Sequence, residues 1–231
     1  MLQDMIVNST YFGVMISMFA YGLGSYIKKK YKLAIFNPLL ISITVIIVFL
    51  QVFQIDYESY NTGAKYLSYL LTPATVCLAI PLYEQLDLLK RNVKAIMAGL
   101  ISGVFTSLTC VLALSILFQL SHKEYVTLLP KSITTAIAMG VSEELGGIVT
   151  ITVAVIIITG VLGNIIAEQV CKLFRITEPV AKGIAIGSSA HAIGTVKAIE
   201  MGEVEGAMSS LSIAVAGLIT VVGSSIFANF L

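Results

Sequence analysis

Gly187-Ser-Ser-Ala-His-Ala-Ile-Gly-Thr195 is a cluster of small, hydroxylated and ionisable residues in a chain that otherwise reads as lipid-soluble. It lies in an uncharged run of 14 residues, Gly183 to Val196, flanked by Lys182 and Lys197. At about 1.5 Å per residue, that run is too short to cross roughly 30 Å of hydrocarbon as one straight helix. It is also too polar to face lipid. Polar, non-helical backbone at membrane depth is tolerated only where protein buries it or water reaches it. The stretch therefore predicts a broken or re-entrant segment beside a solute path.

The composition around it sets the class. Hydrophobic residues make up 57% of the 231, charged residues 12%, and the mean hydropathy is +0.94. A soluble domain carries about 25% charged residues. A formal charge of +1 excludes a nucleic-acid binder built on a basic surface. The length suits a single transmembrane domain over residues 1–231. Cys77, Cys110 and Cys171 lie in or beside apolar runs without CxxC spacing, so they read as small apolar side chains. The first apolar run follows Asp4 rather than a basic segment, and no cleavable signal peptide is expected.

Six uncharged runs are long enough to span: Met5–Ile27, Leu33–Ile55, Tyr66–Tyr83, Ala95–Ser121, Leu145–Ala167 and Gly206–Leu231. Ser132–Ser142 and Gly183–Val196 are shorter and bear Gly, Ser and Thr, the mark of re-entrant or broken helices. Cytoplasmic loops carry the excess of Lys and Arg. With the N-terminus outside and Ser132–Ser142 returning to its own side, ten Lys and Arg are cytoplasmic and three outside, Lys197 unassigned. A full crossing at Ser132–Ser142 reduces the split to seven against six, so the re-entrant reading is preferred. The rule does not decide whether Gly183–Val196 crosses or returns. The expected fold is an all-α polytopic bundle of six to seven full spans plus one or two broken or re-entrant helices.

Three polar constellations stand out. Thr72-Pro-Ala-Thr75 with Pro81 places helix-breaking prolines inside the third run, where Thr72 and Thr75 either re-satisfy the carbonyls freed beside Pro73 or meet a solute. Pro130-Lys-Ser-Ile-Thr-Thr135 reads as a helix start, with Ser132, Thr134 and Thr135 at its positive end and Lys131 as a point charge for an anion. The competing reading has Lys131 reaching the headgroups and the threonines only capping. In the opening cluster, Ser188, Ser189, His191, Gly194 and Thr195 form a polar wall, and His191 can exchange a proton near neutral pH. A neutral histidine bonded between packed helices is the alternative. Glu143 and Glu200 follow the two short runs and are the candidate proton relays, with Lys197 a second candidate cation. Thr72–Leu86 laid over Lys131–Leu145 matches at four of fifteen positions, too few to carry a fold. No catalytic triad order, phosphate loop, dinucleotide fingerprint or metal-ligand spacing is present, so neither an enzyme nor a cofactor is expected.

Several of these segments together carry a resemblance. Asn37-Pro-Leu-Leu40, Thr72-Pro-Ala-Thr-Val-Cys-Leu-Ala-Ile-Pro-Leu-Tyr83, Leu129-Pro-Lys-Ser-Ile-Thr-Thr135 and Ser142-Glu-Glu-Leu-Gly-Gly147 resemble bacterial LrgB/CidB membrane proteins. So do Ala190-His-Ala-Ile-Gly-Thr195 and Glu205-Gly-Ala-Met-Ser-Ser210, in order along nearly the whole chain. The resemblance implies a bacterial cytoplasmic-membrane protein that works with a smaller LrgA/CidA-type partner. It carries two functional pictures, a holin- or antiholin-like modulator of murein hydrolase activity and autolysis, and a transporter of small carboxylates like the plastid glycolate/glycerate carrier. A pore needs polar stripes along amphipathic spans, whereas here the polar residues gather at three helix breaks. That pattern favours a small-monocarboxylate transporter of pyruvate or glycolate type, proton-coupled through His191. A structural subunit without transport of its own is the third picture. Small residues such as Gly160 and Gly163, or Gly217 and Gly223, would support a homo-oligomer.

Overall fold

A computed structural model describes residues 9, 11–31, 36–70, 73, 76–77 and 79–231. The chain divides into two compact units, Met1–Cys77 and Leu78–Leu231.

The first unit holds α1 (Phe12–Tyr31), α2 (Pro38–Val52) and α3 (Tyr57–Ser68). Asn37 caps α2, accepting from the amides of Leu39 and Leu40, with Pro38 in the first turn. Asp56 caps α3 through the amide of Ser59. Glycines let the three helices approach closely. A methyl added at Gly24 would lie 2.7 Å from the Pro38 carbonyl, and one at Gly13 would overlap the α3 backbone. Ser17 and Tyr60 hydroxyls bond across this seam at 2.8 Å.

Two expected spans are revised here. Leu33–Ile55 contains a helix of only 15 residues, about 22 Å long. Tyr66–Tyr83 is not one helix: α3 starts earlier at its Asp56 cap and ends at Ser68, Tyr69 and Leu70 form a turn, and a separate six-residue helix begins at Ala79. The expected Thr72 and Thr75 sites lie outside the described residues, while Pro73 is exposed.

The second unit contains α4 (Ala79–Glu84), α5 (Leu86–Leu117), α6 (His122–Leu128), α7 (Thr135–Glu144), α8 (Val149–Leu173), α9 (Pro179–Met201) and α10 (Glu203–Phe227), closed by a 3-10 turn at Ala228–Phe230. Among the described residues, α5, α8 and α10 are the helices long and apolar enough to cross a membrane. The largest buried core joins Ile96, Leu100, Val104, Leu108 and Val111 of α5 to Tyr125 and Val126 of α6 and Ala207, Met208 and Ala216 of α10. Large apolar side chains on the outer faces, such as Ile101, Phe105, Ile158, Leu162 and Leu218, are exposed, as lipid-facing positions are.

α9 is not a straight rod. His191 sits at φ 42°, ψ −144°, and the chain reverses there. Gly194 lies beside Ile186, eight residues earlier: a methyl on Gly194 would be 3.2 Å from the Ile186 side chain. In a continuous helix the two would be about 12 Å apart. The first limb, Pro179–Ala190, runs alongside α10, with Gly183 against Met208 and Gly187 against Ser212. The second limb returns antiparallel to α10, with Gly206 against Ile199 and Thr195 bonded to Ser209 at 2.8 Å. The run Gly183–Val196 therefore folds back on itself as two helical limbs.

Charges mark the two ends of this unit. The open end of the hairpin carries Lys182–Glu205 (3.7 Å) and Lys197–Glu168 (3.2 Å) ion pairs, with Lys172 also on Glu168. The start of α5, bearing Lys90, Arg91 and Lys94, lies at this same end, since Gly99 packs on Ile184. At the opposite end a capping box starts α6. The Ser121 amide and hydroxyl donate to Glu124, which holds the Glu124 carboxyl below the usual carboxylate range.

Candidate functional site

Between α6 and α7 the chain dips inward. Thr127, Ser142 and Thr152 lock the outer side of this dip: Thr152 Oγ1 bonds to Ser142 Oγ at 2.7 Å and to the Thr127 carbonyl at 2.9 Å, and Thr127 Oγ1 accepts from the Ile148 amide at 2.8 Å. From there residues 129–134 descend, and α7 climbs back from Thr135. Thr134 is its N-cap but makes no side-chain capping bond, so the first-turn amides and their partial positive charge stay open.

The two reversals meet one element. Ile156 of α8 packs with Ile133 and Ala138 of the dip, and its carbonyl lies 3.1 Å from His191 Nε2 at the tip of α9. A carbonyl only accepts, so that nitrogen carries the proton. Gly160 makes room for the ring, since a methyl there would lie 2.7 Å from His191 Cε1. On α5, Gly103 packs against Ser188, and one turn later, about 6 Å on, Ser107 bonds Ser132 at 3.2 Å. The α9 limb and the dip thus approach along one face of α5 from opposite ends.

Lys131 is partly buried in the dip. Its ammonium donates to Ser132 Oγ at 2.9 Å and to Ser107 Oγ at 3.4 Å. Among the described residues no carboxylate lies within ion-pair distance of it.

Of the residues expected from sequence, Lys131, Ser132, Ser188 and His191 converge on this region, with Ser132, Ser188 and His191 buried and Thr134 and Thr135 half-buried. Gly194 and Thr195 are buried in the hairpin, where Thr195 donates to the His191 carbonyl and accepts from Ser209. Ser189 is exposed and donates to the Ala185 carbonyl. Lys197 is drawn to the open end of the hairpin by Glu168 and Glu200, and Glu143 and Glu200 are exposed. Sequence reading missed Ser107. Its only signal was the four-residue spacing Gly99, Gly103, Ser107, which puts small residues on one face of α5. A groove of about 870 Å³ between α5 and α10 is walled by Phe105, Leu108, Leu218, Val222 and Phe227 and offers a charged solute nothing.

The LrgB-like family model matches residues 17–230. This chain belongs to the LrgB-like family. Proteins named antiholin-like protein LrgB from Bacillus mycoides (strain KBAB4) and Bacillus cereus (strain B4264) are each 40% identical over 222 residues, 96% of this chain and 96% of theirs. The same holds for the one from Bacillus anthracis (strain CDC 684 / NRRL 3495). No solved structure matches. Membership in this family and the three membrane-length helices make the chain an LrgB-type membrane protein.

Proposed function

We propose that this LrgB-family chain carries a small monocarboxylate across a bacterial cytoplasmic membrane. It would do so beside an LrgA/CidA-type small membrane protein, with effects on murein hydrolase activity and autolysis as a consequence. The observation that carries this reading is Lys131: a partly buried ammonium with hydroxyl partners, no carboxylate beside it among the described residues, and an uncapped helix start three residues on. A partly buried cation needs a counter-charge, and an open helix N-terminus adds further attraction for an anion.

In this proposal the site lies near mid-depth. His191 faces α8 between Ile156 and Gly160, and Gly160 is about 20 Å from the Leu173 end. The end bearing Lys90, Arg91, Lys94, Lys172, Arg175, Lys182 and Lys197 is cytoplasmic by the excess of positive charge. The α9 hairpin then enters from the cytoplasm and the Lys131–Thr135 dip from outside, with Lys28, Lys29 and Lys30 placing the N-terminus outside. Access alternates as one of these opposed segments moves against the other. His191 would carry a coupled proton once its ring leaves the Ile156 carbonyl.

The relatives' shared name, antiholin-like, favours a second reading, in which the chain regulates a pore. Uptake of labelled pyruvate, glycolate and lactate into proteoliposomes, with and without the smaller partner, separates the two. Saturable uptake that is lost in Lys131→Ala supports the carrier. Unsaturable leakage that also passes large dyes supports the pore.

A further inference from the structure

The hydrogen-bond accounting around Lys131 brings in a residue on α5 as a ligand. An ammonium has three donatable protons and each hydroxyl one. Lys131 sends one to Ser132 and one to Ser107, and a third bond joins the two hydroxyls. Three of the five protons in this cluster are therefore used, leaving one N–H and one O–H. Hydroxyls of the α9 hairpin and α10 are not in this state. Ser188, Ser189, Ser210, Ser212 and Thr195 each donate to a carbonyl one turn back on their own helix, so they present only lone pairs. Ser107 and Ser132 make no such bond. The cluster has a surplus of donors beside a positive charge, and the acceptor it lacks is an anion with two oxygens.

We propose that Ser107 is a specificity-determining residue: with Ser132 and Lys131 it forms a two-point donor clamp that receives both oxygens of one carboxylate. This rests on the carboxylate reading above. In the empty site the Ser107–Ser132 bond holds the two hydroxyls in place. On binding, the spare ammonium proton goes to one carboxylate oxygen and a serine proton to the other. No covalent bond forms or breaks. A spherical anion such as chloride feels the ammonium equally but gains little from the second point, so the serines select and the lysine attracts.

The test is calorimetric binding of lactate, with chloride as competitor, to the purified full-length chain and its variants. Either hydroxyl can supply the second point, so Ser107→Ala and Ser132→Ala are each expected to weaken lactate only several-fold. The double variant should lose roughly 10-fold or more, the effect of one hydrogen bond to a charged group. Chloride competition should stay within about twofold throughout, and Ser107→Thr, which keeps the hydroxyl, should bind as the parent does. If the double variant binds lactate like the parent, or loses lactate and chloride alike, the clamp is refuted and the carboxylate reading survives. A parent chain that binds no carboxylate overturns both.

Discussion

The reversal of α9 makes a quantitative prediction at the point where the hairpin tip meets α8. A methyl added at Gly163 would fall on the Ala190 Cβ, well inside van der Waals contact, whereas its next neighbour, Ala190 Cα, is 3.6 Å away. Overpacking of this kind costs about 1–3 kcal/mol. Replacing a mid-helix glycine by alanine returns about 0.5–1 kcal/mol, so Gly163→Ala should be destabilising by up to about 2.5 kcal/mol. Ala190→Gly alone loses a buried methyl and helix propensity, also about 1–2 kcal/mol. If the effects were independent, the double variant would be worse than either. Instead the two changes exchange one methyl across the seam, and the pair should show a favourable coupling of about 1–3 kcal/mol. For a chain of this length 1 kcal/mol corresponds to roughly 2–4 °C in midpoint. The double variant should thus melt about 2–12 °C above the additive expectation. The chain has no tryptophan, so helical circular dichroism in detergent is the suitable readout. A coupling below about 0.5 kcal/mol would mean that Gly163 and Ala190 do not touch and that the hairpin is wrongly placed.

Three further outcomes can be checked alongside. At the tip, His191→Gly should be more stable than His191→Ala by about 1 kcal/mol, since glycine tolerates φ 42° and alanine does not; an alanine variant melting at or above the glycine one refutes the strained reversal. At the hairpin base, Lys182→Ala leaves the buried Glu205 carboxylate short of its partner and should cost about 1–3 kcal/mol, which the swap Lys182→Glu with Glu205→Lys largely restores; equal losses in single and swapped variants would deny the ion pair a role. At the α6 start, the Glu124 carboxyl is held below its usual 4.5 by the Ser121 hydroxyl and amide, so its contribution is complete above about pH 4.5 and fades as pH falls below that. Glu124→Gln should flatten that part of the acid limb of a pH–stability curve, and an unchanged limb would count against the capping box.

The long apolar helices were legible because hydrophobic length is a local property. Ala95–Ser121, Leu145–Ala167 and Gly206–Leu231 each fall largely within α5, α8 and α10. The helix Tyr57–Ser68 was not legible by that criterion, for it carries Glu58, Asn61, Thr62 and Lys65. Its signal was instead Asp56, a capping side chain immediately before the first helical residue. The apolar run Tyr66–Tyr83 takes its first three residues from that polar helix, which ends at Ser68.

The candidate site divides along the same physical line. Broken segments announce themselves, because hydroxyls, glycines and a histidine in a short uncharged run neither suit a lipid-facing helix nor belong to a solvated loop. Their partners are set by tertiary packing, to which single-residue chemistry is blind. Lys197 and Lys131 look alike in sequence, each a lone cation beside a polar run. One finds Glu168 and Glu200 at a charged end; the other, among the described residues, finds two serines and no carboxylate. What distinguishes them is the supply of carboxylates at their depth, fixed by where α8 and α9 end. Ser107 was hidden for the same reason: a single hydroxyl in a 32-residue helix gains meaning only when a second serine and an ammonium without a carboxylate are folded against it. A charge left without a carboxylate among the described residues packed around it therefore points to the proposed site more sharply than the polar cluster at Gly187–Thr195 does.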